Sequence, residues 1–256
     1  MARKRTSTPG PYLLHLELLR ERIPDATRYP YTLPAVRGLT KLAFHPKVTF
    51  LVGENGSGKS TLLEAIAVAC DLNPEGGSRN FNFATRASHS TLVDALRLGK
   101  SHAWPDDSYF LRAESFFNVA SEIERLDSEP GGGPKIIDSY GRVSLHEQSH
   151  GESFFSLFKN RFRDHGIYLM DEPEAALSPQ RQLQFLALLH DYVERGCQFV
   201  IATHSPIIMA YPDACICQLD AGGIREVAYE ETEHYRVTHG FLSNRKASLD
   251  RLMGND

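Results

Sequence analysis

The chain has 256 residues, 41% hydrophobic and 23% charged, enough to bury one large α/β core. Its net charge of -4 excludes the global basic field of an obligate nucleic-acid binder, and the basic N-terminal "MARKR" reads as a solvated arm. No apolar run approaches the roughly 18 residues of a membrane span, so no stable membrane insertion and no signal peptide are expected. Four scattered cysteines are too few for a disulfide framework, which points to a reducing, cytoplasmic setting.

In chain order, 12–23 ("YLLHLELLRERI") carries a strand-like apolar run that also partly fits a helical period. Residues 38–53 end in the near-continuous apolar "VTFLV", a buried strand, and 59–72 are apolar almost all round, as a helix beneath a sheet would be. The stretch 81–99 is polar and then mixed. A short strand over 108–117 precedes a polar helix near "NVASEIERLD", and "EPGGGP" (129–134) is a loop by composition. "QSHGES" (148–153) opens a helix, where Ser149 or Ser153 can serve as the cap.

Further on, 166–179 is an apolar strand ending in acids. Residues 179–196 form an amphipathic helix opened by Pro and closed by Gly. "QFVIATHSP" (198–206) is another buried strand, 215–229 has the glycine connector of a hairpin, and the tail can hold a terminal helix. Cys215 and Cys217 fall on one face of a strand, where packing is the expected role. Strands separated by buried helices predict an α/β fold with a central, mostly parallel sheet flanked by helices. Antiparallel pieces at both ends of the chain add a small second sheet. The chain reads as a single domain over 1–256.

"GENGSGKST", which begins at Gly53, follows one buried strand, precedes a buried helix and satisfies G-x-x-x-x-G-K-[ST] in full. Gly53, Gly56 and Gly58 let the backbone curl so that the N–H groups of Asn55, Ser57 and their neighbours through Thr61 surround phosphate oxygens. The helix N-terminus adds partial positive charge, Lys59 reaches the β- and γ-phosphates, and the Ser60 hydroxyl can ligate Mg²⁺. "IYLMDEP" supplies the other half: Asp171 at a strand end can hold Mg²⁺, and Glu172, pointing differently, can take a proton from an attacking water. No guanine-reading "NKxD" appears, which favours ATP as the nucleotide.

The order of P-loop, Ser-x-Gly element, "DEPEAALSP" and "ATHSP" from Gly53 to Pro206 resembles the ATP-binding-cassette ATPase superfamily. Within it, the chain resembles the soluble branch of RecF-type and structural-maintenance-of-chromosomes heads and AAA-type predicted ATPases. The resemblance implies that Ser149 and Gly151 stand in the signature element, carried by a short helical subdomain within 75–150. It also implies that His204 is the switch histidine and that Ala176, Leu177 and Ser178 form the D-loop. The family's signature completes the partner's phosphate site, so the implied assembly is a homodimer with two sandwiched ATP molecules. The opening of "QSHGES" would then offer polar groups to a phosphate bound by another copy.

The departures from the family pattern are specific. His150 and Glu152 replace signature residues, Ser178 replaces the D-loop Asp, and Glu114 stands where a metal-side glutamine is usual. Arg112 is a phosphate-contact candidate beside it, and Tyr29, Tyr31 and Phe44 are candidates to stack on adenine. The span from Leu62 to Gln148 is too short and too broken by Gly and Pro for a long coiled-coil arm. The reading is a Mg²⁺-dependent ATPase whose dimer opening and closing act on a DNA or effector-protein client. The alternatives are the nucleotide-binding subunit of a membrane transporter and an ATP-sensing subunit that holds an effector enzyme.

Overall fold

The computed structural model describes residues 10–78, 91–114, 116–128, 135–140 and 150–254. Its strands are β1 (Leu13–Leu18), β2 (Lys41–Ala43), β3 (Val48–Gly53), β4 (Leu96–Lys100), β5 (Asp107–Arg112), β6 (Gly166–Asp171), β7 (Gln198–Ala202), β8 (Ala214–Asp220) and β9 (Gly223–Glu226). The helices are the one-turn α1 (Pro34–Arg37), then α2 (Lys59–Ala69), α3 (Phe116–Ser128), α4 (His150–Arg161), α5 (Pro179–Glu194), α6 (Glu233–Ser243) and α7 (Arg245–Met253). The central sheet runs β5-β6-β7-β3-β8-β9; its first five strands are parallel and β9 returns antiparallel to β8. A separate antiparallel sheet has the order β2-β1-β4.

Every residue of β3, β6 and β7 is buried. A parallel sheet needs this, because crossover helices cover both of its faces and strand residues alternate between them. Val48, Phe50, Tyr168, Met170, Phe199 and Ile201 point to one side, where they pack with Phe154, Leu157 and Phe158 of α4 and Phe185 and Leu189 of α5. Leu51, Leu169, Val200 and Ala202 point to the other, against Leu62 and Ile66 of α2 and Leu13 and Leu16 of the small sheet.

One side chain stitches the two sheets together. Gln198, fully buried, accepts from the N–H groups of Tyr12 and Leu13 at 2.9 and 2.8 Å. Its amide donates to the carbonyls of Leu13 and His45, both at 2.9 Å, so oxygen and nitrogen are fully used.

The expected strand over 12–23 ends at Leu18 and gives way to a 3-10 turn at Arg20–Arg22. β4, at the end of the mixed 81–99 stretch, alternates only over Leu96–Leu98 and pairs antiparallel with β1. The tail forms two helices with Gly240 inside the first, and neither contains a buried residue. Cys215 and Cys217 do share a face of β8, with Sγ atoms 3.5 Å apart. No helix among the described residues is long and apolar enough to cross a membrane.

Candidate nucleotide site

Register brings the motifs together. β7 lies between β6 and β3, with Asp171 opposite Ala202 and Ala202 opposite Leu51. Asp171, the Thr203–His204 segment and the Gly53 loop therefore leave neighbouring parallel strands at one level, at their carboxyl ends, where open α/β sheets bind ligands.

The Gly53–Gly58 loop is built for backbone contacts. At Gly53, φ is +152° and the Cα lies so close to the Leu219 carbonyl that no side chain fits. Gly58 caps α2 in the left-handed region, pressed against Leu33 and Ala35 at the start of α1. Lys59 is buried, and its ammonium donates to the carbonyls of Gly53 and Glu54 at 2.9 and 3.0 Å. Burial holds its pKa below the ordinary lysine value, while the carboxylates of Glu172, Asp171 and Glu174 pull it back up. Ser57 Oγ is buried without a hydrogen-bond partner, Asn55 and Gly56 are exposed, and Thr61 Oγ1 lies 3.1 Å from the Tyr29 hydroxyl. An orphaned hydroxyl, a free helix N-terminus and an ammonium held by the loop together fit a phosphate chain.

Asp171, at the end of β6, is 5% exposed and accepts from Ser60 Oγ at 3.0 Å. Burial pushes its carboxyl up to about 6, opposed by Arg112, whose Nε is 3.6 Å from Asp171 Oδ2. A hydroxyl and a carboxylate oxygen side by side, both hard oxygen donors, fit a hard divalent cation. Among the described residues no set of three or more His, Cys, Asp or Glu side chains could hold a metal by itself. Protein oxygens from Ser60 and Asp171 combined with substrate phosphates match the way Mg²⁺ is usually held.

Glu172 occupies the left-handed region, φ 50° and ψ 53°, which costs a residue with a side chain about 1–2 kcal/mol. The turn separates the two acids: Asp171 is buried, whereas Glu172 is 42% exposed and faces His204, with Oε1 3.6 Å from His204 Nε2. Its backbone N–H donates to the Ala202 carbonyl at 2.9 Å and so fixes the turn to β7. Ser60, Arg112, Glu114, Asp171 and Glu172 line a cavity of about 210 Å³. Glu114 stands at its rim, 86% exposed, with Oε2 3.7 Å from Arg112 Nη2. Arg112 also reaches Glu64 at 3.3 Å, so it is one cation set among several carboxylates.

Of the three aromatic candidates, Tyr31 and Phe44 are core residues, at 4% and 7% exposure. Tyr29, 66% exposed beside Thr61, is the one that remains open at the phosphate loop. Gly151 is buried in the first turn of α4, with the Arg181 side chain against its Cα. Ser149 lies outside the described residues. Ser153 is not a cap: it sits inside α4 and is buried. Ser178 caps α5, accepting from the Arg181 N–H at 3.4 Å.

Two functional candidates were not singled out from the sequence. Glu174 accepts from the His204 N–H at 2.5 Å and from Thr203 Oγ1 at 2.8 Å, tying the acidic turn to the histidine loop. His234, from α6, places Nε2 2.9 Å from His204 Nδ1. Glu174 was legible in "DEPE" as a third acid at the turn; nothing in the local sequence around His234 marks it.

Comparison with known proteins bears on the family and the fold. A family model described as "AAA domain" matches residues 34–101. A second, described as "AAA domain, putative AbiEii toxin, Type IV TA system", matches 143–210. The thiamine import ATP-binding protein ThiQ of Cereibacter sphaeroides is 32% identical over 174 residues, covering 61% of this chain and 70% of that protein. ThiQ of Rhizobium meliloti is 28% identical over 258 residues, covering 88% and 98%. Among solved structures, the ATP-binding cassette MJ1267 of an ABC transporter matches with a TM-score of 0.51 at 16% identity, covering 91% of this chain and 97% of that one. Its likeness is one of fold. With a phosphate loop, an acid-ended strand and a histidine loop meeting at one edge of a shared sheet, the chain belongs to the ATP-binding-cassette superfamily of ATPases.

Proposed function

We propose that the protein is a Mg²⁺-dependent ATPase that closes into a two-site dimer around ATP and reopens on hydrolysis, driving a DNA or protein client. The observation that carries this reading is the facing pair Glu172 and His204, 3.6 Å apart beside the Ser60–Asp171 bond. Lys59 and the loop N–H groups hold the β- and γ-phosphates. Ser60 and Asp171 are the protein oxygens for Mg²⁺, which when bound neutralises phosphate charge; Glu114 at the cavity rim is a peripheral addition to that set. Glu172, half in solvent, accepts the proton of a water whose oxygen attacks the γ-phosphorus, while the bond to the β–γ bridging oxygen breaks. His204 offers an N–H to the γ-phosphate. Ser149 and Gly151, the signature candidates, meet the nucleotide of the partner copy.

The test is the solution mass of Glu172→Gln with Mg-ATP, measured by light scattering. A stable dimer is expected, absent in Lys59→Ala, which should not bind ATP. Ser149→Arg should bind nucleotide as a monomer but neither dimerise nor turn over. A Glu172→Gln protein that stays monomeric at saturating nucleotide removes the sandwich.

A second reading, as the nucleotide-binding subunit of a transporter, draws support from the ThiQ relatives, which are named for import. Against it stand Glu114 in place of the usual glutamine and the altered signature. Recovery of the protein with membranes would favour it, whereas turnover stimulated by duplex DNA and lost at high salt would favour a DNA client.

A further inference from the structure

We infer that His234 is a positioning residue for the switch histidine: its Nε2–H donates to His204 Nδ1 and fixes His204 as the tautomer that carries its hydrogen on Nε2. This rests on the reading of His204 as the phosphate-facing residue and deepens it. The two rings lie 2.9 Å apart, nitrogen to nitrogen, so one must donate and the other accept. The opposite nitrogen decides which. His204 Nε2 is buried, has no hydrogen-bond partner, and faces Glu172 Oε1 at 3.6 Å. A carboxylate and a phosphate both only accept. A lone pair on Nε2 would meet them with repulsion, whereas an N–H is the group either needs. With the hydrogen on Nε2, a neutral His204 has its lone pair on Nδ1, and His234 must be the donor.

The surroundings keep both rings neutral. Burial lowers the affinity of each for a proton, and the nearby Lys59 ammonium lowers it further. The seating of α6 is directed at this contact. Thr232, fully buried, caps α6 by accepting from the Tyr235 N–H at 3.3 Å. The Tyr229 hydroxyl donates to the Pro206 carbonyl at 2.8 Å, two residues past His204. Beyond this first turn, residues 236–247 are exposed, so α6 meets the body of the protein chiefly at the histidine loop.

The experiment uses the full chain and two readouts. Nitrogen-15 spectra of the histidine side chains, taken without nucleotide, should show His204 neutral with its hydrogen on Nε2, and a mixture of tautomers in His234→Ala. Steady-state turnover of Mg-ATP should fall roughly tenfold or more in His234→Ala. Affinity for a non-hydrolysable ATP analogue should stay within about twofold. His234→Gln, whose amide carries an N–H to the same place, should recover most of the rate, and the acceptor-only His234→Glu should not. A hydrogen on Nδ1 of His204 in the wild type overturns the inference, as does a His234→Ala enzyme with full turnover or equal rates for the Gln and Glu variants. If instead the wild type shows no ATP turnover and Lys59→Ala changes nothing, the ATPase reading fails, while the spectra still decide the tautomer.

Discussion

Glu174 holds His204 by its backbone: the carboxylate accepts from the His204 N–H at 2.5 Å and, through its other oxygen, from Thr203 Oγ1 at 2.8 Å. The loop after β7 is thereby fastened to the turn that presents Glu172. Burial raises the Glu174 carboxyl, while these donated bonds lower it and favour the charged form. Glu174→Ala removes both acceptors and leaves a partly buried N–H without a partner. We expect a stability loss of about 1–3 kcal/mol by urea unfolding. Turnover should fall more steeply than nucleotide affinity, because His204 loses its anchor while the phosphate loop is untouched. Equal losses in binding and turnover would contradict this role.

Tyr29 is the exposed aromatic at the phosphate loop, joined to Thr61 by a 3.1 Å contact. Stacking of a base on an aromatic ring contributes about 1–3 kcal/mol. Tyr29→Ala should therefore weaken ATP binding about tenfold by calorimetry, and Tyr29→Phe should keep most of the affinity. No change in Tyr29→Ala would mean that the adenine lies elsewhere.

Gln198 makes four hydrogen bonds that join β7 to β1 and to the His45 turn. Gln198→Leu has a suitable size but strands two N–H groups and two carbonyls. A loss of more than about 2 kcal/mol is expected, seen as a melting temperature lower by roughly 5–10 °C. A melting temperature unchanged within a degree would show that water replaces the amide.

The histidine pair gives a pH signature. Burial lowers both rings below their ordinary value of 6.5, and Lys59 acts in the same direction. Glu172 opposes the shift at His204, and Glu233 and Glu54 oppose it at His234. With folded-state values below 6.5, the unfolded chain binds protons first as pH falls. Stability from the pair is thus fully present above pH 6.5 and drains away as pH drops through the folded values. Asp171 works with the opposite sign, since its carboxyl at about 6 favours the folded state as it protonates. The difference in urea midpoint between wild type and His234→Ala isolates the histidines. It should be largest above pH 6.5 and shrink toward pH 5. A pH-independent difference would remove His234 as a buried neutral ring.

Much of the site was legible because its chemistry is local. The phosphate loop needs glycine backbone freedom, a lysine and a hydroxyl within nine consecutive residues, and "GENGSGKST" spells these out between a strand and a helix that are equally plain in their apolar runs. Asp171 and Glu172 were placed at a strand end by the same kind of pattern. The strand β4 was less legible, because its alternation is only three residues long and its partner β1 is about 80 residues away in the chain.

The sequence by itself determined the class of fold and the phosphate loop, since periodic burial and a short motif act over a few residues. Only the tertiary structure decided which residues surround that loop. Parallel register aligned Asp171, Ala202 and Leu51 across three strands distant in the chain, and so set the acidic turn beside the histidine loop. Tertiary packing also withdrew Tyr31 and Phe44 into the core while leaving Tyr29 exposed, and brought His234 within 2.9 Å of His204 across 30 residues. Such contacts follow from the packing of whole elements against each other, which no local spacing encodes.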